Sequence, residues 1–277
     1  IDQGRITRMK RKEETLILHN GQSVRDESYQ PDPSKTLYYE VIRVIDSRYL
    51  FLEDHLGRMV FSVTSDGLTP PDIDRLRSDL LRLLNLSDKK EGNVKLVIQY
   101  DVGVYSSWCF FISHRYPGRS SYDNGVAVRS YPYERPDPQV KKWNEVFRND
   151  IQSFKTSHHI YEAILVNDQG YLTEGSRSNL FFIDPSDKVC TAPLSMVLPG
   201  ITRKYIIQIC TALSVEIEEK AIPLNRASGM KAAFLSGTSP RVLPIRKLDH
   251  IPYHPRYPLL RTIMHAYDNL LKENLYG

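Results

Sequence analysis

Tyr161-Glu162-Ala163-Ile164-Leu165-Val166 and, beyond a polar turn ending at Gly170, Tyr171-Leu172-Thr173-Glu174-Gly175-Ser176-Arg177-Ser178-Asn179-Leu180-Phe181-Phe182 form the stretch from which the fold is read. Two apolar segments of strand composition flank the glycine turn. One acid, Glu174, interrupts them among small residues, where a core excludes charge. A carboxylate placed there needs a cationic partner, and that partner need not be protein.

Working outward, the second half of the chain alternates strands with helices. Helices are expected over 139–157, over 202–213 after Pro199-Gly200, and over 257–274. The first half reads mainly as strands. Thr15-Leu16-Ile17-Leu18 and the segment after Asn20-Gly21 predict a hairpin. Leu37 to Val44, Tyr49-Leu50-Phe51-Leu52, Asn93 to Tyr100 and Trp108 to Ser113 predict further strands. A short helix is expected from Glu53, and Pro70-Pro71-Asp72 opens a longer one with an apolar face of Ile73, Leu76, Leu80, Leu81, Leu83 and Leu84. Between the halves, Tyr116 to Pro138 is rich in turn formers and holds one short strand, Val126-Ala127-Val128. The outline is α+β in two unequal lobes: 1–117, a connection over 118–137, and 138–277.

With 277 residues the chain can bury a sizeable core. A formal charge of +4 demands neither nucleic acid nor an anionic membrane as partner. The basic cluster Arg8-Met9-Lys10-Arg11-Lys12 is followed at once by Glu13-Glu14 and reads as a solvated surface segment. Cys109, Cys190 and Cys210 form no CxxC pair, so neither a zinc site nor a disulfide framework is expected. The same odd cysteine count makes a reducing cytoplasm the expectation, Ile1-Asp2-Gln3-Gly4-Arg5 lacks an apolar signal region, and no apolar run is long enough to span a bilayer. His158-His159 falls at a helix-to-strand junction and reads as capping or surface.

The stretch around Glu174 resembles the signature of class IV pyridoxal 5'-phosphate (PLP) enzymes: branched-chain aminotransferases, D-amino-acid aminotransferases and aminodeoxychorismate lyases. In that family the Glu bonds the pyridine nitrogen of the cofactor and keeps it protonated, an electron sink for the carbanion formed at the substrate α-carbon. Val140-Lys141-Lys142-Trp143-Asn144 is similar to the family's lysine segment, in which an Asn follows the Schiff-base Lys by three positions at a helix start. That spacing selects Lys141 over Lys142, and the helix dipole there is expected to lower its pKa. Leu198-Pro199-Gly200-Ile201-Thr202-Arg203 resembles the phosphate cradle, a Pro-Gly turn feeding a helix whose first N–H groups, at Ile201 and Thr202, bind an anion. Ser236-Gly237-Thr238-Ser239-Pro240 resembles a second phosphate turn, with Gly237 and Thr238 at the anion, and Glu53-Asp54-His55-Leu56-Gly57-Arg58 resembles the His-x-x-Arg helix whose Arg58 supplies a countercharge.

By the same resemblance Leu198 packs on the ring, Tyr39 lines the pocket and Asn179 braces the Glu174 turn. Arg115 and Arg241 are candidates for binding a substrate carboxylate. The family's Gly-Asp-Gly before the "Tyr-Glu-Val" strand is replaced by Pro33-Ser34-Lys35-Thr36-Leu37-Tyr38. Relatives border the substrate with that loop. The resemblance implies a two-lobed fold-type-IV enzyme with a barrel-like sheet in the larger lobe, PLP between the lobes, and a homodimer. Its activity would be transamination between an amino acid, of the branched-chain L- or D-amino-acid class, and a 2-oxo acid. Alternatives are an aminodeoxychorismate lyase releasing 4-aminobenzoate and pyruvate, and a non-catalytic PLP-binding protein.

Overall fold

The computed structural model describes residues 16–25, 29–32 and 34–276. The Ile1–Arg5 segment, the Arg8–Lys12 cluster, Thr15 and Pro33 lie outside the described residues.

Eight elements make the first lobe: β1 (Ile17–His19), β2 (Gln22–Val24), β3 (Leu37–Ile45), β4 (Arg48–Tyr49), α1 (Leu52–Ser65), α2 (Ile73–Leu86), β5 (Gly92–Asp101) and β6 (Val104–Ile112). The strands form one sheet in the order β2-β1-β6-β5-β3-β4. Strand periodicity splits the sheet's side chains into two sets. Tyr38, Ile42, Val44, Val94, Leu96 and Ile98 pack under α1 and α2, while Tyr39 and Val97 join Ile17 and Trp108 on the other face. The strand expected over Tyr49–Leu52 stops at Tyr49, because Phe51 takes a left-handed conformation (φ 52°) and turns the chain into α1. With 14 residues α1 is longer than expected. Asp72 caps α2, accepting from the Arg75 N–H at 3.0 Å.

The second lobe begins inside the stretch expected to be a connection. After α3 (Arg119–Asn124), β7 (Val126–Pro132) pairs in parallel with two strands of the larger sheet. Next come α4 (Glu145–Ser157), β8 (Glu162–Val166), β9 (Tyr171–Gly175), β10 (Asn179–Ile183), β11 (Val189–Thr191), α5 (Ile201–Ala212), β12 (Ile217–Glu219), β13 (Ile222–Pro223), β14 (Ala232–Gly237), β15 (Arg241–Leu248), β16 (Ile251–Pro252) and α6 (Pro258–Tyr276). Strands β10-β14-β15-β7-β8-β9 follow one another in the sheet, and β9 pairs back to β10 through Asn179 and Glu174, closing a barrel. Glu174 therefore sits at the seam.

β10 is apolar on both faces because both are covered. Leu180 and Phe182 join Ala233, Leu235, Leu243 and Ile245 inside the barrel, while Phe181 and Ile183 face α5 and α6, with the Phe181 and Phe234 rings stacked at 5.0 Å. On the flank beside β8, Phe147 and Ile151 of α4 cover Ala163 and Leu165.

The helix expected from residue 139 starts at Glu145 instead. Asn144 is its cap, accepting from the Phe147 N–H at 3.0 Å, and the residues before it are extended. They run beside β3: the Tyr39 N–H donates to Lys141 O (3.2 Å), the Trp143 N–H donates to Leu37 O (2.8 Å), and Lys142 bridges Tyr38. Lys141 thus lies on a strand-like segment and not at a helix start. No helix among the described residues is long and apolar enough to cross a membrane.

Candidate active site

A cavity of about 690 Å³ lies where the two lobes meet, lined from both. Alternation along β3 and β5 sends Tyr39, Val41, Asn93 and Lys95 into it. The same alternation separates the adjacent lysines. Lys141 faces Tyr39, its Nζ 4.7 Å from the ring centre, whereas Lys142 pairs with Asp66 (2.9 Å) and Asp137 (3.1 Å). Burial lowers the Lys141 pKa and Arg58 adds to the effect, with Tyr39 and Glu40 opposing. The depression expected of Lys141 is present, but desolvation causes it rather than a helix dipole.

Glu174 is buried and fully braced. Its Oε1 accepts from Arg135 Nε at 2.8 Å, and its Oε2 accepts from the Leu198 N–H at 3.1 Å and Asn179 Nδ2 at 3.4 Å. Asn179 Nδ2 also donates to Leu198 O (2.9 Å), which locks the seam to the turn before α5. Arg135 is thus a cationic partner for Glu174 within the protein. Even so, burial raises the carboxyl's pKa beyond what Arg135 and the Leu198 N–H recover. Gly200 is required for this packing, since a Cβ there would overlap Asn179 Oδ1. Gly200→Ala is expected to displace Asn179 from Glu174 and to cost about 1–3 kcal/mol as overpacking. A thermal melt checks the loss, and an unchanged melting temperature would contradict it.

At the cradle, Gly200, Ile201, Thr202, Gly237 and Thr238 all line the cavity. Gly200, the residue before α5, offers no side-chain cap, and the buried Ser236 hydroxyl beside the second turn has no hydrogen-bond partner. An uncapped helix N-terminus with an orphaned hydroxyl nearby is the environment a phosphate would satisfy. Leu198 also lines the cavity.

Arg58 is there too, but its charge is not free. Its Nε and Nη2 donate to Glu40 at 2.7 and 2.6 Å, and Nη1 donates to Pro199 O at 3.1 Å. His55 Nδ1–H donates to the second Glu40 oxygen at 2.7 Å. Burial works against ionising Glu40, yet Arg58 and His55 outweigh it and hold its pKa at about 2. The folded value lies below the ordinary 4.5, so this pair contributes stability that is present above about pH 4.5 and is lost as pH falls toward 2. Glu40→Gln should flatten that acid limb. Because it leaves Arg58 buried without its partner, it should also cost about 3–5 kcal/mol near neutrality. Urea titrations at several pH values measure both, and an acid limb as steep as wild type would contradict the assignment.

Around the Tyr39 phenol, Arg148 Nη2 donates to the oxygen. Burial alone would raise this phenol, but Lys141, Arg148 and Arg135 bring its pKa down to about 7. Of the remaining candidates, Arg115 lines the cavity from an exposed position. Arg241 does not line it and pairs with Asp268 at 3.2 Å. Among the described residues no cluster could hold a metal ion.

Residues 37–248 match the sequence profile described as amino-transferase class IV. The chain belongs to that family. This class IV aminotransferase is 25% identical over 223 residues to the D-alanine aminotransferase of Bacillus licheniformis, spanning 76% of this chain and 78% of that protein. Its fold is that of the Escherichia coli branched-chain amino acid aminotransferase, with a TM-score of 0.81 at 22% identity over 93% of this chain and 95% of the other. A hypothetical aminotransferase from Mycobacterium tuberculosis in its PLP-bound form gives a TM-score of 0.78 at 16% identity, covering 93% of this chain and 99% of that one. The aminotransferase is therefore an enzyme of fold type IV, and the class IV family uses PLP.

Proposed function

We propose that this chain binds PLP in the cavity and transfers an amino group between an amino acid and a 2-oxo acid. The observation that carries the reading is Lys141, a half-buried amine facing the cavity with no carboxylate paired to it among the described residues, near Arg58 and Tyr39 and in the same cavity as Glu174. When bound, PLP supplies an aldehyde for an amine and a protonated ring that withdraws electrons from the substrate α-carbon.

Each residue then has a task. Ile201 and Thr202 N–H groups, with Gly237 and Thr238, hold the phosphate, while Arg58 adds a charge shared with Glu40. Glu174, fixed by Arg135, Asn179 and Leu198, accepts the proton-bearing ring nitrogen. Leu198 covers the ring. Lys141, already less basic through burial, binds the cofactor and in the reaction carries the α-proton at Nζ. The Tyr39 oxygen, held by Arg148, stands by to stabilise the ammonium form of Lys141. The amino acid is of the branched-chain or D-amino-acid class broadly, as the relatives' names suggest, and the assembly is a homodimer.

Incubation with PLP should give the protein a visible absorbance that an amino acid discharges and a 2-oxo acid restores. Absence of that absorbance would overturn the reading. Pyruvate release from aminodeoxychorismate without an acceptor would replace it with the lyase.

A further inference from the structure

Two acids belong to the strand pair at the barrel seam, Glu162 and Glu174, and the proposed reaction uses one of them. Glu162 opens β8, is buried, and lines the same cavity as Glu174. Ile164 of β8 pairs with Gly175 of β9, and the Ser176 N–H donates to Ala163 O at 2.9 Å as the last rung. Beyond it the chain turns over Glu162 and re-enters the sheet as β10 at Asn179.

That turn closes on the Glu162 carboxylate. Oε1 accepts from the Ala163 N–H at 3.0 Å and the Ser176 hydroxyl at 2.6 Å, and Oε2 accepts from the Arg177 N–H and the Ser178 hydroxyl, both at 3.3 Å. Lys155 Nζ lies 3.6 Å from Oε1 and supplies a countercharge. Gly175 makes the closure possible: a Cβ there would stand 2.2 Å from Ser178 Oγ and 3.0 Å from Glu162 Cγ. Each carboxylate oxygen takes one hydroxyl, which can reverse its role, and one backbone N–H, which cannot. Only a carboxylate satisfies both sides. A glutamine must aim its NH2 group at one of the two N–H groups.

The same turn carries what holds Glu174. Its two ends, Glu174 and Asn179, pair across the seam. Arg135 reaches both the acid and the turn, donating from Nε to Glu174 Oε1 at 2.8 Å and from Nη2 to Ser176 O at 3.3 Å. A connected path therefore runs from Glu162 through Ser176 and Arg135 to Glu174. Asn179, at the far end of the turn, donates to Glu174 Oε2. Moving the turn moves both side-chain donors on Glu174.

Resting on the transamination reading, we propose that Glu162 is a positioning residue, whose carboxylate fixes the 175–178 turn and thereby holds Arg135, Asn179 and Glu174 in the alignment that serves the ring nitrogen of PLP. It acts through Glu174 and takes no proton itself.

The Leu198 N–H, which donates to Glu174 Oε2 at 3.1 Å, reports the alignment in the cofactor-free full chain. Its hydrogen exchange should quicken about tenfold in Glu162→Gln, while the amides of the β14–β15 ladder keep their wild-type rates. No change at Leu198, or an equal rise in both places, would overturn the brace, the second by reducing Glu162 to a contribution to overall stability. In the PLP-loaded chain Glu162→Gln should lower kcat about tenfold and leave KM for the amino donor within about twofold, because a misplaced group slows the chemistry. In the Glu174→Gln background the same change should cost less than about twofold more, since the two residues act as one unit. Losses that multiply would place Glu162 on a separate path and sink the proposal. Should Glu162→Gln fail to fold, Ser176→Ala, which removes only the shortest contact, is read at the same amide with the same expectation. If PLP gives no visible absorbance, transamination falls and the exchange measurement still decides the brace.

Discussion

Lys141→Ala abolishes measurable turnover, with an expected fall of at least about 10³-fold, and the variant gives no amine-linked visible absorbance with PLP. The size of the effect follows from two roles vested in one amine. A positioned general base contributes about 10²–10⁴-fold, and loss of the covalent attachment point adds to that. Lys142→Ala is the control, because that ammonium is already engaged by Asp66 and Asp137. Partly exposed pairs of this kind are worth about 0–1 kcal/mol, so Lys142→Ala should alter stability slightly and turnover little. Single-turnover assays on both variants check the assignment. Equal losses in the two would mean that the strand-like alternation of 140–143 does not decide which lysine reacts.

Much of the cavity could be read from the sequence because its residues break local rules. Glu174 is an acid in an apolar strand, and the Pro-Gly turn before α5 precedes an uncapped helix. Glu40 gives the same signal as Glu174, a lone acid between Tyr39 and Val41, yet the phosphate role expected of Arg58 obscures that Arg58 first has to neutralise it. Asn144-Glu145 carries the cap signature that ends the extended segment, and missing it extends α4 backward over Lys141. Arg135 lies in a proline-rich stretch that reads as a connection, and nothing local marks it as the partner of a residue 39 positions away. Arg148 and Lys95 meet only because β5, α4 and the 140–143 segment pack on the Tyr39 and Trp143 rings. Their pairing depends on tertiary structure, although the lone cation in β5 is visible to a period-two reading.

Glu174→Gln is expected to retain PLP and to lose about 10²-fold or more in turnover. That is the order of effect seen when a single preorganised electrostatic group is removed from a transition state. A glutamine amide can hydrogen-bond the ring nitrogen but cannot hold it protonated. The same substitution also leaves the half-buried Arg135 without a counterion, at a cost of about 1–3 kcal/mol in stability. The two consequences can be separated, since Glu174 and Arg135 are in contact and their effects should not add. In the double variant Glu174→Gln/Arg135→Gln the orphaned charge is gone, so melting should recover most of the lost stability. Turnover should not recover. If the double variant regained activity along with stability, Glu174 would be a structural partner of Arg135 at the barrel seam and nothing more. If Glu174→Gln alone kept wild-type turnover, the carboxylate would have no part in setting the charge of the ring.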